Sequence, residues 1–201
     1  MNLEQSAPTV AGRAMEQRVL AAALQAFGER GYHGASIRFI AQCAGTSVSN
    51  VYNYVSSKDA LLVLLLREAS KRQFDQVRAA VDGAGVAPAD RLAAAVEAFA
   101  RYVVEHREEL TLSNTEFRYL GERDRADVVE QRDRTQGIVD GIVADGVRAG
   151  AFKTPYPHDV ARSLLTMVAN ITAWYRPDGP LTPAEVAQRH AQFALALVQA
   201  V

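Results

Sequence analysis

Between Ser47 and Leu62 the chain reads SVSNVYNYVSSKDALL. Thr46, Ser47, Ser49, Asn50, Tyr52, Asn53 and Tyr54 crowd hydroxyl, amide and phenol groups into one short helical run. No base or metal set accompanies them, so their chemistry is hydrogen bonding. Hydroxyls and phenols donate to phosphate oxygens, and amides pair with adenine edges. An ordinary solvated helix face would use Glu and Lys, which raise helix propensity. Small, flat polar groups suit a helix lying against another polar polymer, and the reading is a DNA recognition helix. Lys58, in the first turn of the next helix, adds a phosphate contact supported by that helix's N-terminal amides.

Three helices must position this run. Met15, Val19, Ala22 and Ala26, flanked by Leu20, Ala23 and Phe27, give the first its apolar face, and Gly31 ends it. Ser36 caps a second whose buried side is Ile37, Ile40, Ala41 and Ala44. Gly45-Thr46 breaks that helix and Ser47 begins the third. A helix, a glycine turn and a second helix form a helix-turn-helix, whose second helix enters the major groove while the first braces it. Val51, with Val48 and Val55, can hold the third helix against the core.

Further on, a long helix is expected from Lys58 to about Val81, capped by Ser56 or Ser57, with a capping-box-like spacing from Ser56 to Asp59. A break at 82–88 precedes a stripe of Leu92, Val96, Phe99 and Val103. Helices are expected over about 107–120, 126–149, 158–175 and 184–200. The span 158–175 is apolar nearly all round, which marks burial on more than one side. The fold class is all-α, about nine helices, with an aperiodic flexible arm over 1–13 and a three-helix domain over 14–60.

Composition narrows the function classes. A chain of 201 residues with 49% hydrophobic content can bury a full core. Its longest apolar run, Ala60 to Leu66, is far short of the roughly 20 residues that span a bilayer. No secretion signal opens the chain, and a cytoplasmic location with no membrane partner is expected. Residues 13–58 hold five cations against two carboxylates, net +3, leaving −4 for the rest of a chain of net −1. A basic head on an acidic body fits a polyanion partner. Cys43 is expected in the core, without a redox partner. The four histidines show no metal spacing, and His106 with Glu109 reads as a solvated helix face. Arg118, Arg123, Arg125, Arg132 and Arg134 alternate with acids, which reads as ion-paired surface or, alternatively, a basic mouth for a phosphorylated ligand. Trp174 and Tyr175 read as interface or core. A helical-bundle enzyme would need a Glu-x-x-His pair, a phosphate loop or a nucleophile motif, and none is present.

The run from Arg18 to Leu62 resembles the N-terminal domain of the TetR family of transcriptional regulators. Phe27, Gly31-Tyr32, Ser36-Ile37-Arg38, Ile40-Ala41, Gly45, Ser47, Tyr52 and Ser57-Lys58 fall at the family's positions, over about a quarter of the chain. Val55 stands where phenylalanine is usual, and Asn53-Tyr54 where many members have Tyr or His followed by His. The resemblance implies DNA contacts by Ser36, Arg38, Thr46, Ser47, Ser49, Asn50, Tyr52, Asn53, Tyr54 and Lys58. It further implies a ligand-binding and dimerisation domain over 61–201. The homodimer would form through helices about 158–175 and 184–200, and the double-stranded operator would be pseudo-palindromic. A small-molecule effector would occupy the middle helices, with no cofactor and no metal. Glu116 to Leu120, Gly146 to Phe152 and Trp174 to Thr182 resemble regulators of lipid, steroid and acyl-CoA catabolism. That points to an acyl-CoA, fatty acid or steroid-like effector, with Phe99, Asn114, Arg118, Leu165, Ala169 and Trp174 as candidate ligand-binding positions. The leading reading is a repressor released by a small apolar or acyl-type effector. The alternative is a constitutive or activating DNA-binding protein.

Overall fold

The structure is a computed structural model that describes residues 10–201. Its helices are α1 (Val10–Gly34), α2 (Ile37–Cys43), α3 (Val48–Tyr52), α4 (Lys58–Gly83), α5 (Pro88–Glu105) and α6 (Arg107–Glu116). A 3-10 turn, Phe117–Tyr119, leads to α7 (Glu122–Arg148), α8 (Pro157–Ala169), α9 (Ile171–Trp174) and α10 (Pro183–Leu197). Only Asn170 separates α8 from α9, so the two form one bent helix and the all-α expectation of about nine is met. An isolated bridge between Phe152 and Ala200 is the one extended pairing among the described residues. Of the arm expected over 1–13, residues 1–9 lie outside the described residues, and residues 10–13 are helical.

The helix starts follow from local chemistry. Ser36, Ser47 and Ser57 each accept the backbone N–H three residues on, from Phe39, Asn50 and Ala60. Ser57, not Ser56, is therefore the α4 cap, because Ser57 holds the extended conformation that aims its hydroxyl at the first turn. Thr182 and Glu185 form a reciprocal capping box at α10, and the hydrogen bonds from Thr182 lower the pKa of the Glu185 carboxyl. Gly31, at φ 66°, interrupts α1, and Gly45, at φ 61°, makes the turn between α2 and α3. Arg18 of α1 donates to the Ala44 carbonyl at 2.7 Å, which ties that turn to the first helix.

Two apolar cores result. The head core gathers Phe27, Ile40, Val51, Leu61 and Leu66, joined from much later in the chain by Leu112, Leu120 and Val128. The body core gathers Val77, Leu92, Tyr102, Ile142, Leu164 and Ile171. Each fully buried side chain of this size stabilises by about 1.5–3 kcal/mol. The helix α4, 26 residues and therefore roughly 39 Å long, runs through both cores. The division at 60/61 thus falls within the first turn of one continuous helix.

A polar brace crosses the centre. The fully buried Tyr102 hydroxyl lies 2.9 Å from the Ala69 carbonyl and 3.0 Å from Glu109 Oε2, and Arg72 pairs with Glu109 Oε1. Burial, then the Glu109 carboxylate, push the Tyr102 phenol well above its ordinary pKa. His106 lies against the Tyr102 ring at 4.3 Å. The His106–Glu109 pair is therefore no solvated face. The spacing was right for one helix side, but α4 and α5 close over that side and Arg72 supplies the charge that lets Glu109 be buried.

Near the end of α7, a Cβ on Gly146 would fall inside the buried ring of Phe152. Helix propensity alone favours alanine there by about 1 kcal/mol. Overpacking costs about 1–3 kcal/mol, with the upper end expected for a ring that has nowhere to go. Gly146→Ala should therefore lose about 1–2 kcal/mol net, and scanning calorimetry should show a lowered melting temperature. An unchanged or raised value would contradict this packing.

Candidate nucleic-acid interface and interior cavity

The helix α3 has one buried anchor, Val51, with Val55 just beyond it. Val48 is 36% exposed and does not join them. Three residues before Val51 is less than a full turn, so Val48 rotates outward and adds a methyl-rich contact to the polar face. The sequence reading placed it inward because valine is usually a core residue. An outward apolar group on such a helix can meet a thymine methyl.

Of the ten expected contact residues, six are exposed and four are half-buried. Ser36, Arg38, Ser47, Ser49, Tyr52 and Asn53 are exposed; Thr46, Asn50, Tyr54 and Lys58 are half-buried. Asn53 donates to Asn50 Oδ1 at 3.2 Å, and Asn50 donates to Thr46 Oγ1 at 2.8 Å. This chain of amides holds the side chains in place before any partner arrives, which lowers the entropy cost of recognition. Tyr52, 51% exposed, stands clear of it, whereas Tyr54 packs on the head core.

Lys58 has a structural role that its motif position did not reveal. Its ammonium donates to the carbonyls of Tyr32 at 2.8 Å and Ala35 at 3.1 Å, and lies 4.4 Å from the Tyr32 ring centroid. It therefore ties the end of α1 to the start of α4. Cys43 is half-buried against the head core.

Between α4, α5, α6, α7 and α8 lies a cavity of about 240 Å³. Four of the six candidate ligand positions border it, namely Phe99, Asn114, Leu165 and Ala169. Arg118 and Trp174 do not. Arg118 borders a separate groove between α1 and α6, with its guanidinium 4.9 Å from the Tyr119 ring. Trp174 is 47% exposed and stacks on His190, while Tyr175 is buried. The helix expected over 158–175 bends at Asn170, and that bend turns Trp174 away from the cavity side of Leu165.

The sequence reading missed Ser70, Gln73, Thr135 and Gln136 as cavity-lining residues. Nothing in the pattern of α4 or α7 singles out polar residues that face inward.

The arginine cluster also differs from expectation. Asp124 and Asp127 pair with Arg67 of α4, not with the arginines interleaved among them. Arg125 donates to the carbonyls of Arg118 and Leu120, and Arg132 to Ser113. Arg125 and Arg132 also lie over the Phe117 ring and Arg134 over Phe74. The alternation in sequence put acids and bases on different helix faces, and α4 claimed the acids. No cluster of three metal-ligating side chains occurs among the described residues.

With this geometry in view, the chain can be compared with known proteins. Residues 19–65 match the model of bacterial regulatory proteins of the tetR family, and residues 85–198 match the tetracyclin repressor-like C-terminal domain. The HTH-type transcriptional repressor KstR2 of Mycobacterium tuberculosis is 28% identical over 196 residues, which cover 96% of each chain. A tetR-family regulatory protein from Rhodococcus RHA1 superposes with a TM-score of 0.85 at 24% identity, covering 93% of this chain and 98% of that one. AibR, solved in complex with isovaleryl coenzyme A and operator DNA, superposes with a TM-score of 0.80 at 22% identity, over 93% and 100%.

The structural bonds of Lys58 separate two substitutions. Tyr52→Ala should weaken binding to duplex DNA while leaving the melting temperature unchanged. Lys58→Ala should weaken binding and also cost about 1–2 kcal/mol of stability, because it leaves two carbonyls without their charged donor. Mobility-shift titration paired with thermal melts checks both, and unchanged affinity in both variants would remove the contact assignment.

Proposed function

Since the chain belongs to the TetR family of bacterial regulatory proteins, we propose that it acts in the cytoplasm as a ligand-responsive repressor. It is a DNA-binding transcriptional regulator and not an enzyme. A homodimer would hold two recognition helices one DNA turn apart, about 34–36 Å, on a pseudo-palindromic operator. A small apolar or acyl-type effector filling the α4–α8 cavity would favour an arrangement in which that spacing is lost.

The observation that carries this reading is α4. Its first turns share the head core with Val51 of α3, and Ser70 and Gln73, further along the same helix, border the cavity. A rigid rod with one end in the core that anchors α3 and its middle on a ligand space can convert occupancy into head movement. The complex of AibR with isovaleryl coenzyme A and operator DNA supports an acyl-type effector for a protein of this fold.

Dimerisation finds support in the surface of α9 and α10. Trp174, Phe193 and Leu197 are large apolar groups left exposed there, and the buried His190 stacks on Trp174 and meets Phe193 edge-on. A second copy covering this aromatic strip would bury it in the manner of an obligate interface. Among the described residues no helix is long and apolar enough to cross a membrane.

Two measurements test the proposal. Phe193→Glu should convert the dimer to a monomer by light scattering, with helicity retained, and should weaken operator binding by about tenfold or more. Affinity for a duplex selected from a random pool should fall steeply with salt, with a log–log slope of about −0.9 per neutralised phosphate. A flat salt response would remove the DNA role.

A further inference from the structure

Arg132 is a cation placed against the cavity whose hydrogen-bond and ring partners are all neutral. Its guanidinium donates to Ser113 Oγ at 2.9 Å and to the Ser113 carbonyl at 3.3 Å, and its face lies 4.8 Å from the Phe117 centroid. No carboxylate of the described residues forms an ion pair with it. Burial lowers its pKa below the ordinary guanidinium value, which records how poorly the site solvates the charge. An arginine stays protonated under such conditions, so the site retains a positive charge in want of a counter-ion. Five N–H donors are available on the guanidinium, and Ser113 occupies one nitrogen.

The cavity beside it is two-sided. Phe99, Leu110 and Leu165 supply an apolar wall, and Asn114 and Gln136 supply amides near the guanidinium's own helices. We propose that Arg132 is the anion receptor of this cavity and that the molecule it admits is a free carboxylic acid with an apolar body. This rests on the reading of the cavity as the effector site.

Three considerations favour a carboxylate over a phosphorylated or coenzyme-borne group. A planar guanidinium matches a carboxylate through two parallel hydrogen bonds. Arg132 is the half-buried cation of the cavity, and Arg162 and Asp133, both exposed at its edge, are opposite in sign, so the lining offers one net positive charge and not several. At about 240 Å³ the space lies below the usual range of roughly 300–1,000 Å³ for small-molecule sites, which suits a small acid.

The position of Arg132 also links its charge to the head. Phe117, on which it rests, packs against the head core alongside Leu112 and Leu120. An anion that draws the guanidinium into the cavity takes it from Ser113 and Phe117, the groups joining the end of α6 to α7.

Calorimetric titration of the full-length protein with butanoate, octanoate and dodecanoate, their alcohols and their coenzyme A thioesters tests the assignment. At least one acid should bind about tenfold or more tightly than its alcohol, and Arg132→Gln should abolish that preference. Arg132→Lys, which keeps the charge and loses the fork, should fall between. If Arg132→Gln does not fold, the wild-type comparison of acid with alcohol decides. Equal binding of acid and alcohol, binding of the thioester alone, binding of no acid, or a preference that survives Arg132→Gln would each overturn the inference. Acid bound with operator affinity unchanged would keep Arg132 as an anion receptor and remove the effector reading instead.

Discussion

The membership of α4 in two hydrophobic cores is the constraint from which the rest of the architecture follows. Leu61 to Leu66 belong to the head core with Val51 of α3, and Val77 and Val81 belong to the body core with α5. Neither end can shift without opening a core, and opening either one exposes several side chains worth about 1.5–3 kcal/mol each. The Arg72–Glu109–Tyr102 brace lies between those two packed ends. It fixes α4 against α6 with charge-assisted hydrogen bonds in a poorly solvated setting, where removing one partner would strand another. Movement that passes through α4 must therefore be a tilt of the whole rod and not a local loosening.

That rigidity gives the cavity its meaning. Residues 70 and 73 of α4 and residues 110, 113 and 114 of α6 face it, directly beside the brace residues Arg72 and Glu109. Anything that spreads α4 from α6 acts at once on the brace. The head is not a separate bead either, because Leu112, Leu120 and Val128 belong to its core. Tyr119 stacks on Tyr32 at 5.5 Å and meets His33 edge-on at 4.5 Å. Two seams, α4 and the turn after α6, thus join the head core to the cavity.

Legibility in the sequence divided along a physical line. The three N-terminal helices, their caps and the turn glycines could be read because each depends on interactions within a few residues. Val51 as buried anchor and Tyr52 as an exposed side chain could be read for the same reason. Val48 could not, since a five-residue helix is too short for a pattern to fix its rotation. Lys58 illustrates a further limit: its place in the motif was plain, but its bonds to Tyr32 and Ala35 span more than twenty residues of sequence. The arginine cluster is the clearest case. Charge alternation along α7 suggested pairing within the cluster, yet Arg67 from α4 took Asp124 and Asp127, and carbonyls and rings took the arginines.

By itself the chain determined its helices, its helix-turn-helix and the polar surface that α3 offers, because capping, periodicity and glycine conformation act locally. Four of the six candidate ligand positions, Phe99, Asn114, Leu165 and Ala169, also fell at the cavity, through the resemblance. Only the tertiary structure decided that Trp174 faces outward, that Glu109 is buried in a brace, and that Arg132 lies at the cavity without a counter-ion. Those outcomes depend on which helix face meets which neighbour across long sequence separations. Burial and charge pairing are properties of that meeting, and no stretch of α6 or α7 encodes them alone.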